Sequence, residues 1–257
     1  MNRRTLCAAL ACLALPLTGH AAEPLRIAAD ATYPPFEYTD ASGAVVGFDI
    51  DVTRAACAEM KTECVLVNQP WDGLIPGVQA RKYDAVVGMN ISAERLKVVS
   101  FSQPFYYMYN NFVGHVGTKP DVSPVALKGK IIAVQRGSTQ DRFITDTYGK
   151  TATIKRYVNA QDPMMEMANG RADFTFGNTA QLKRGFLDTP KGQGFGFIGP
   201  TFDGRKDKVL GEGLAFVVRK DNTDLANRFS QAIAALKQKG VIKQLAAKHN
   251  LTGLIGE

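Results

Sequence analysis

The chain has 257 residues, of which 45% are hydrophobic and 21% charged, and its formal net charge is +7. This composition is that of a globular protein, and the length fits one large domain or two of about 100–150 residues each. The basic residues are scattered, without the stripe or helix pattern of a nucleic-acid-binding surface. The sequence therefore gives no support for nucleic acid as a partner.

The first 21 residues have the pattern of a secretory signal peptide. Arg3 and Arg4 form a basic start, residues 6–17 form an apolar core, and small residues lead up to Ala21. The core is too short for a membrane-spanning helix, and no later apolar run approaches the ~20 residues that such a helix needs. We therefore predict cleavage near Ala21 or Ala22 and a mature protein outside the cytoplasm.

Cysteine usage agrees with export. Cys7 and Cys12 leave with the signal peptide, so the mature chain keeps only Cys57 and Cys64. Two cysteines at this spacing in an oxidising compartment predict one local disulfide, and the spacing excludes a CxxC redox pair. A lipoprotein anchor on Cys12 is an alternative, but Ala9-Leu10-Ala11 lacks the usual Leu three residues before the cysteine.

Strand and helix patterns alternate along the chain, which predicts parallel sheets flanked by helices. For the first unit, the patterns predict strand 25–29, helix 51–61, strand 65–67, helix 74–81 and strand 83–87. For the second unit, they predict strand 130–135, helices 141–148 and 162–169, strand 173–177 and helix 179–187. The return to the first unit is predicted as a Gly/Pro-rich loop over 189–213, strand 213–219 and helices 224–240 and 241–250.

This order of units predicts two lobes joined by two crossings. After a signal peptide over residues 1–21, we expect lobe 1 to comprise residues 22–108 plus 211–257 and lobe 2 residues 109–210. The crossings near 107–111 and 203–211 predict a hinge with a cleft between the lobes.

The most unusual stretch is Asp30-Ala-Thr-Tyr33-Pro-Pro-Phe36. It follows the first predicted strand, and its two prolines predict a stiff loop at the carboxyl end of that strand, where open α/β folds place ligands. Asp30 and Tyr33 could hold a cationic group there by charge pairing and by cation–π contact. The alternative is a polar turn with a half-buried tyrosine.

Residues for catalysis are sparse. Once the signal peptide is removed, His115 and His249 are the only histidines, and neither has a metal-binding spacing. No G-x-S-x-G elbow, phosphate loop or free thiol is present. The sequence therefore predicts a protein that is not an enzyme and needs no metal or cofactor, although a paired-carboxylate site stays open.

Residues for binding are better placed. Arg95 follows a strand end and a Gly-rich turn, where its guanidinium could hold a carboxylate through two hydrogen bonds. The alternative for Arg95 is a surface ion pair with Glu94 or Asp72. Ser138 and Thr139 begin a helix directly after a strand, where free N–H groups and the helix dipole favour an anion. The alternative there is simple N-capping.

Polar and aromatic side chains thus follow several strand ends in both lobes, namely Asp30, Tyr33, Trp71, Arg95, Ser138, Thr139 and Asn178. Together they predict a site for a molecule with a carboxylate at one end and a cation at the other.

Seven segments of the chain resemble the periplasmic polar amino-acid-binding proteins of ABC importers, which form solute-binding protein family 3. The similarity is greatest to the lysine/arginine/ornithine- and histidine-binding type. It covers nearly all of the mature chain, including Cys57 and Cys64, through segments 30–36, 47–51, 71–76, 83–95, 101–106, 137–140 and 211–220. The resemblance implies a monomeric, two-lobed type II binding protein of the periplasm, which binds a basic amino acid and delivers it to an inner-membrane ABC permease.

The same resemblance implies roles for individual residues. Arg95 would pair with the ligand α-carboxylate, helped by Ser138 and the N–H of Thr139. The backbone of Gly88 and the side chain of Asn90 would line the α-amino end. Four further residues would surround the ligand side chain: Tyr33 and Trp71 as a sandwich around it, and Gln135 and Gln140 near its far wall. Asp30 would bind the cationic head.

Two departures from the family pattern affect the α-amino end. Asn178 stands where the family usually has an Asp that pairs with the α-ammonium, and a neutral acceptor makes a weaker hydrogen bond. The segment Gly88–Asn90 is one residue shorter than in the histidine-binding branch, with Asn90 in place of Ser or Asp. These departures predict either weaker binding of the amine or a ligand whose amine is substituted, as in an opine-type arginine derivative.

Two rival functions remain. The first is an enzyme on the same scaffold, similar to periplasmic cyclohexadienyl dehydratases, which needs a general acid in the cleft that Asn178 does not supply. The second is a binding protein that serves as the input of a sensor rather than of a transporter.

Overall fold

The computed structural model describes residues 23–256. The predicted signal peptide and its cleavage site lie outside the described residues. Within residues 23–256, no helix is long and apolar enough to cross a membrane. In the same range, no group of three or more His, Cys, Asp or Glu side chains is placed to hold a metal ion.

The strands of the described chain are β1 (Leu25–Ala29), β2 (Thr32–Tyr33), β3 (Glu37–Thr39), β4 (Val45–Val46), β5 (Cys64–Asn68), β6 (Ala85–Asn90), β7 (Val99–Phe101), β8 (Tyr107–His115), β9 (Ile131–Gln135), β10 (Thr153–Tyr157), β11 (Phe174–Asn178), β12 (Phe195–Asp203), β13 (Leu214–Arg219) and β14 (Ile255–Gly256). The α-helices are α1 (Phe48–Glu59), α2 (Leu74–Gln79), α3 (Ala93–Leu96), α4 (Thr139–Tyr148), α5 (Asp162–Ala168), α6 (Thr179–Leu182), α7 (Thr223–Gln238) and α8 (Val241–Lys248).

The first lobe is built on a sheet with the strand order β5-β1-β6-β13-β7. Strand β1 pairs in parallel with β5 and β6, and the returning β13 pairs antiparallel with β6 and β7. Helices α1 and α2 provide the crossovers that parallel neighbours require. Phe48, Ile50 and Val52 of α1 are fully buried in the same core as Phe229 of α7. Burial of side chains of this size contributes about 1.5–3 kcal/mol each.

The second lobe is built on a sheet with the strand order β10-β9-β11-β8-β12. Strand β9 pairs in parallel with β10 and β11, whereas β8 runs antiparallel to β11 and β12. Its core is aromatic: the rings of Phe112 and Phe176 lie 4.7 Å apart, and Phe143 stacks on Phe176 at 5.2 Å. This core holds α4 against the sheet and so fixes the start of that helix.

Two connections join the lobes. The chain leaves the first sheet after β7 and enters the second as β8, and it returns between β12 and β13. The predicted two-lobed α/β architecture, with two mainly parallel sheets and two crossings, is therefore confirmed. The predicted lobe boundaries, residues 22–108 plus 211–257 and residues 109–210, stay a prediction.

The prediction of a loop over residues 189–213 is wrong, because β12 occupies nine of these residues. β12 is an edge strand, and its register with β8 shifts between Ile198 and Phe202. Pro200 lies at this irregularity. An edge strand with an irregularity tolerates a proline, since no neighbouring strand needs its missing N–H.

The predicted disulfide is confirmed. Cys57 lies on α1 and Cys64 begins β5, with their Cα atoms 6.2 Å apart. The bond ties the helix to the edge strand of the sheet on which it packs.

Candidate functional site

A pocket lies between the two lobes, with about 390 Å³ of empty space that includes some open solvent. Ten of the eleven predicted ligand-binding residues line it: Asp30, Tyr33, Trp71, Gly88, Asn90, Arg95, Gln135, Ser138, Thr139 and Gln140. The first six belong to the first lobe and the last four to the second. Each lobe therefore forms one wall of the same pocket. The roles of these residues in binding stay a prediction.

Asp30 lies at the carboxyl end of β1 and is almost fully buried. Its Oδ1 accepts a hydrogen bond from Thr32 Oγ1 at 2.9 Å, and its Oδ2 lies 3.5 Å from Gln135 Nε2 of the second lobe. Burial raises the pKa of Asp30 to about 6, because the charged form loses hydration. Asp30 is therefore ionised at neutral pH but close to titrating.

Arg95 is a buried cation on the other side of the cavity. Its Nη1 donates to the Asn90 carbonyl at 2.8 Å and its Nη2 to the Gly137 carbonyl of the second lobe at 3.1 Å. The guanidinium carbon lies 5.2 Å from the centre of the Trp71 ring. Burial lowers the pKa of Arg95 to about 10, which leaves it charged at neutral pH.

The alternative of a surface ion pair for Arg95 does not hold. Glu94 instead lies 3.4 Å from Arg142, and Asp72 pairs with Arg136. Among residues 23–256, no carboxylate lies within ion-pair distance of Arg95. Its charge is therefore available to an anion in the cavity.

The start of α4 faces the same cavity. Ser138 caps the helix, with its Oγ accepting from the Asp141 N–H at 3.0 Å and donating to the Gln135 carbonyl at 2.8 Å. The N-capping predicted as the alternative for Ser138 is thus present. The N–H groups of Thr139 and Gln140, the first two of the helix, have no intrahelical acceptor. Together with the helix dipole, they favour negative charge beside Arg95.

Asn178 is the one predicted site residue that the structure places elsewhere. It lines an adjoining pocket, which Tyr33 and Gln135 also line. Its Oδ1 caps α6 by accepting from the N–H groups of Ala180 at 2.8 Å and Gln181 at 3.4 Å. The oxygen that was expected to accept from a ligand amine is therefore already bonded to the backbone.

Two further residues, Glu37 and Met108, line the cavity without having been predicted. Glu37 directly follows the stretch Asp30–Phe36, and β3 pairs it with Tyr33 of β2. Its place next to that stretch is the feature of the sequence from which Glu37 could have been predicted as a site residue. Met108 lies at the start of β8, with its sulfur 3.5 Å from Gln140 Nε2. Nothing in the sequence distinguishes Met108 from a core methionine.

Comparison with known proteins decides the family. The family model "Bacterial extracellular solute-binding proteins, family 3" matches residues 25–252, which is nearly all of the described chain. The chain belongs to this family.

The relatives of this family 3 protein include several that are named for basic amino acids. It is 38% identical over 252 residues to the L-arginine-binding protein of Pseudomonas aeruginosa, covering 97% of this chain and 96% of that protein. It is 32% identical to the lysine/arginine/ornithine-binding periplasmic protein of Escherichia coli, covering 88% and 87%. A solved periplasmic binding protein of Salmonella typhimurium, described as having high arginine specificity, superposes with a TM-score of 0.80 at 32% identity, covering 88% of this chain and 99% of that one.

The cavity of this family 3 protein is electrically polar. Two buried carboxyl groups, Asp30 and Glu37, line it from the first lobe, and Arg95 together with the start of α4 supplies positive charge. A dipolar solute with a separate cationic group complements this arrangement.

Proposed function

We propose that the protein binds arginine, and more weakly other basic amino acids, and delivers the bound solute to an ABC permease. The observation that carries this proposal is the separation of charge in one cavity between the lobes. Arg95 and the first N–H groups of α4 form the positive part, and the buried Asp30 forms the negative part. The names of the relatives at 32–38% identity support the same class of ligand.

The proposed orientation of the ligand follows from these charges. The α-carboxylate lies between Arg95 and the N–H of Thr139, where two lobes contribute donors to one anion. The aliphatic part of the side chain lies between Tyr33 and Trp71. The guanidinium reaches Asp30, whose Oδ2 already lies 3.5 Å from the Gln135 amide.

We propose further that the protein acts as a monomer in the periplasm and that its contact with the permease is transient. A cleaved signal peptide ending near Ala21 or Ala22 would bring it there. Mass spectrometry of the protein secreted into the periplasm measures the cleavage site directly, and light scattering of the purified protein measures its mass in solution.

A thermal-shift screen with the natural amino acids, citrulline and octopine tests the proposed ligand class. Ligands that bind only the folded state raise the melting temperature with concentration. We expect arginine to give the largest shift, followed by lysine, ornithine and histidine. A larger shift with octopine than with arginine would replace the proposed ligand with an N-substituted derivative.

One observation favours the rival function, an enzyme similar to cyclohexadienyl dehydratases. Burial raises the pKa of Glu37, a carboxyl group in the cavity, well above its ordinary range. A protonated carboxyl is the general acid that a dehydratase requires. An assay for turnover of prephenate and arogenate separates the two functions. We expect no turnover, and measurable turnover would replace solute binding as the function.

A further inference from the structure

Two carboxyl groups, those of Glu37 and Asp49, meet behind Gly88. Gly88 lies in β6 with a positive φ of 75°. A Cβ atom added to Gly88 would lie 2.6 Å from Glu37 Oε2 and 2.7 Å from Asp49 Oδ2. Both carboxyl groups therefore press against the Cα of one residue, and only glycine fits at that position.

These carboxyl groups have oxygens without hydrogen-bond partners. Within residues 23–256, Glu37 Oε2 and both Asp49 oxygens are buried and accept no hydrogen bond from any third group, and Asn90 Oδ1 accepts none at all. Glu37 and Asn90 line the cavity, and Asp49 lies fully buried behind them. A buried acceptor without a donor costs about 1–3 kcal/mol, so a donor in the cavity would be strongly favoured here.

The surroundings of the pair favour protonation. Burial, followed by the charges of Asp49 and Asp30, raises the pKa of Glu37 well above its usual range, and burial does the same for Asp49. The other titratable groups facing the pair are two phenols, Tyr33 from β2 and Tyr106 just before β8.

The basic side chains at the carboxyl end of α8 contact a different acid of α1, Asp51. Lys248 Nζ and His249 Nε2 lie 2.7 and 2.8 Å from Asp51 Oδ2. Within the described residues, no cation is therefore placed beside Glu37 and Asp49 by α8. These two carboxyl groups hold one proton between them and carry one negative charge, since both cannot ionise in a buried site without a nearby cation.

We infer that Glu37, backed by Asp49, accepts the α-ammonium group of the ligand, and that binding releases the proton which the two carboxyl groups share. The ammonium keeps its own protons, and the shared proton passes to the solvent. The pair thus changes from one negative charge to two when a cation arrives beside it. This inference rests on the proposed function, because it assumes an amino-acid ligand held by Arg95.

The position of the pair identifies which ligand group it meets. Both carboxyl groups lie against Gly88, and Asn90, whose carbonyl accepts from Arg95 Nη1, is two residues further along β6. In an amino acid, the α-ammonium is one carbon away from the carboxylate. Glu37 would therefore supply the negative charge that Asn178 lacks, from the first lobe instead of the second.

Calorimetry of L-arginine binding at about pH 7.5 tests the inference in buffers with different ionisation enthalpies, such as phosphate, HEPES and Tris. The slope of the binding heat against ionisation enthalpy gives the protons released. At this pH, Asp30 is already ionised, since its pKa is about 6, and does not contribute. We expect release of about 0.5–1 proton per arginine bound.

Glu37→Gln is the decisive variant. It keeps the shape of the side chain but removes its charge and its titration, so proton release should disappear and the affinity for arginine should fall about 10–100-fold. Glu63→Gln makes the same chemical change at an exposed position outside the cavity and should leave both quantities unchanged.

A ligand without the amine identifies the group that Glu37 contacts. The analogue 5-guanidinopentanoic acid has the carboxylate and guanidinium of arginine but no α-amine. Its affinity should differ by less than about threefold between the parent protein and Glu37→Gln, because the deleted contact is absent in both cases. An equal loss for arginine and the analogue would overturn the assignment of Glu37 to the α-ammonium.

Three further outcomes are decisive. Arginine binding without proton release by the parent protein would overturn the inference but leave the proposed function intact. No binding of any basic amino acid by the folded protein would overturn both. If Glu37→Gln does not fold, Asp49→Asn removes the shared proton without altering the cavity wall; it should abolish proton release, and persistent release would contradict the pair.

Discussion

Among single residues, Arg95 has the most direct consequence for binding. We predict that Arg95→Ala lowers the affinity for arginine by about 100-fold or more, because a buried guanidinium with two parallel donors is lost from the carboxylate end. The melting temperature should change little, since Arg95 hydrogen-bonds to neutral carbonyls and no buried carboxylate is left unpaired.

Calorimetry and a thermal melt measure both effects. Arg142→Ala is the matched control, because Arg142 also reaches across the cleft, to Glu94 at 3.4 Å, but is exposed. Unchanged affinity in Arg95→Ala would remove the carboxylate clamp.

Asp30 predicts a pH dependence that is specific to cationic side chains. Its pKa is raised to about 6 by burial, so it becomes neutral as the pH falls below that value. The affinity for arginine should therefore fall by about tenfold more between pH 7.5 and pH 5 than that for citrulline, which has a neutral urea in place of the guanidinium. The pH dependence that comes from the Glu37–Asp49 proton is common to both ligands and cancels in this comparison.

Asp30→Asn should reproduce this difference at neutral pH, with a large loss for arginine and a small one for citrulline. Calorimetry of the two ligands against both proteins gives the comparison. Equal losses for arginine and citrulline would mean that Asp30 meets the other end of the ligand.

Most of the residues that line the cavity could be predicted from the sequence, because the rule used was geometric. Strand ends of parallel sheets meet at one edge, so Asp30, Arg95 and Ser138 could be brought together without knowing any side-chain position. Glu37 could not be found in this way, since β3 belongs to a small antiparallel sheet outside the two main ones. Its inward orientation depends on pairing with β2, which only two residues define.

At the scale of secondary-structure elements, the disulfide between α1 and β5 predicts a measurable stabilisation. A closed loop of this length contributes about 2 kcal/mol by restricting the unfolded chain. The Cys57→Ser/Cys64→Ser variant should therefore melt roughly 4–8 °C lower than the parent protein.

The affinity for arginine should be unchanged in this variant, because both cysteines lie away from the cavity. Treatment of the parent protein with a reducing agent should give the same lower melting temperature. No effect of either change would mean that the bond adds nothing to the packing of α1.

Helices and strands were predicted correctly where the periodic spacing of apolar residues extends over many residues. Helix α4, predicted over 141–148, was found at Thr139–Tyr148 because an apolar face and a capping serine mark it clearly. Strand β12 was missed since Pro200 and its flanking glycines are typical of loops. Pairing with β8 at the sheet edge overrides that local preference, which is a tertiary effect that no local pattern contains.

For the whole molecule, two exposed ion pairs cross the cleft, Arg136 with Asp72 and Arg142 with Glu94. Their side chains are roughly half exposed, so each pair contributes about 0–1 kcal/mol to closure. We predict that the Arg136→Ala/Arg142→Ala variant binds arginine less than about tenfold more weakly than the parent protein.

Salt should also weaken arginine binding, because it screens these two ion pairs. Raising the ionic strength should weaken arginine binding slightly in the parent protein and less in this double variant, because the screened pairs are gone. Calorimetry over a salt series measures the difference. A loss of affinity in the double variant as large as that in Arg95→Ala would mean that these two ion pairs, and not the contacts in the cavity, hold the lobes together.

Three side chains of the first lobe, Asp30, Asn90 and Arg95, both line the cavity and contact hydrogen-bonding partners in the second lobe. A solute reaches the cavity only when these contacts break, so its observed association rate is the intrinsic rate multiplied by the fraction of molecules with parted lobes. The same contacts must break before the solute leaves. Substitutions that tighten them would lengthen the residence time and slow delivery to the permease, so the best binder of this scaffold would not be its fastest carrier.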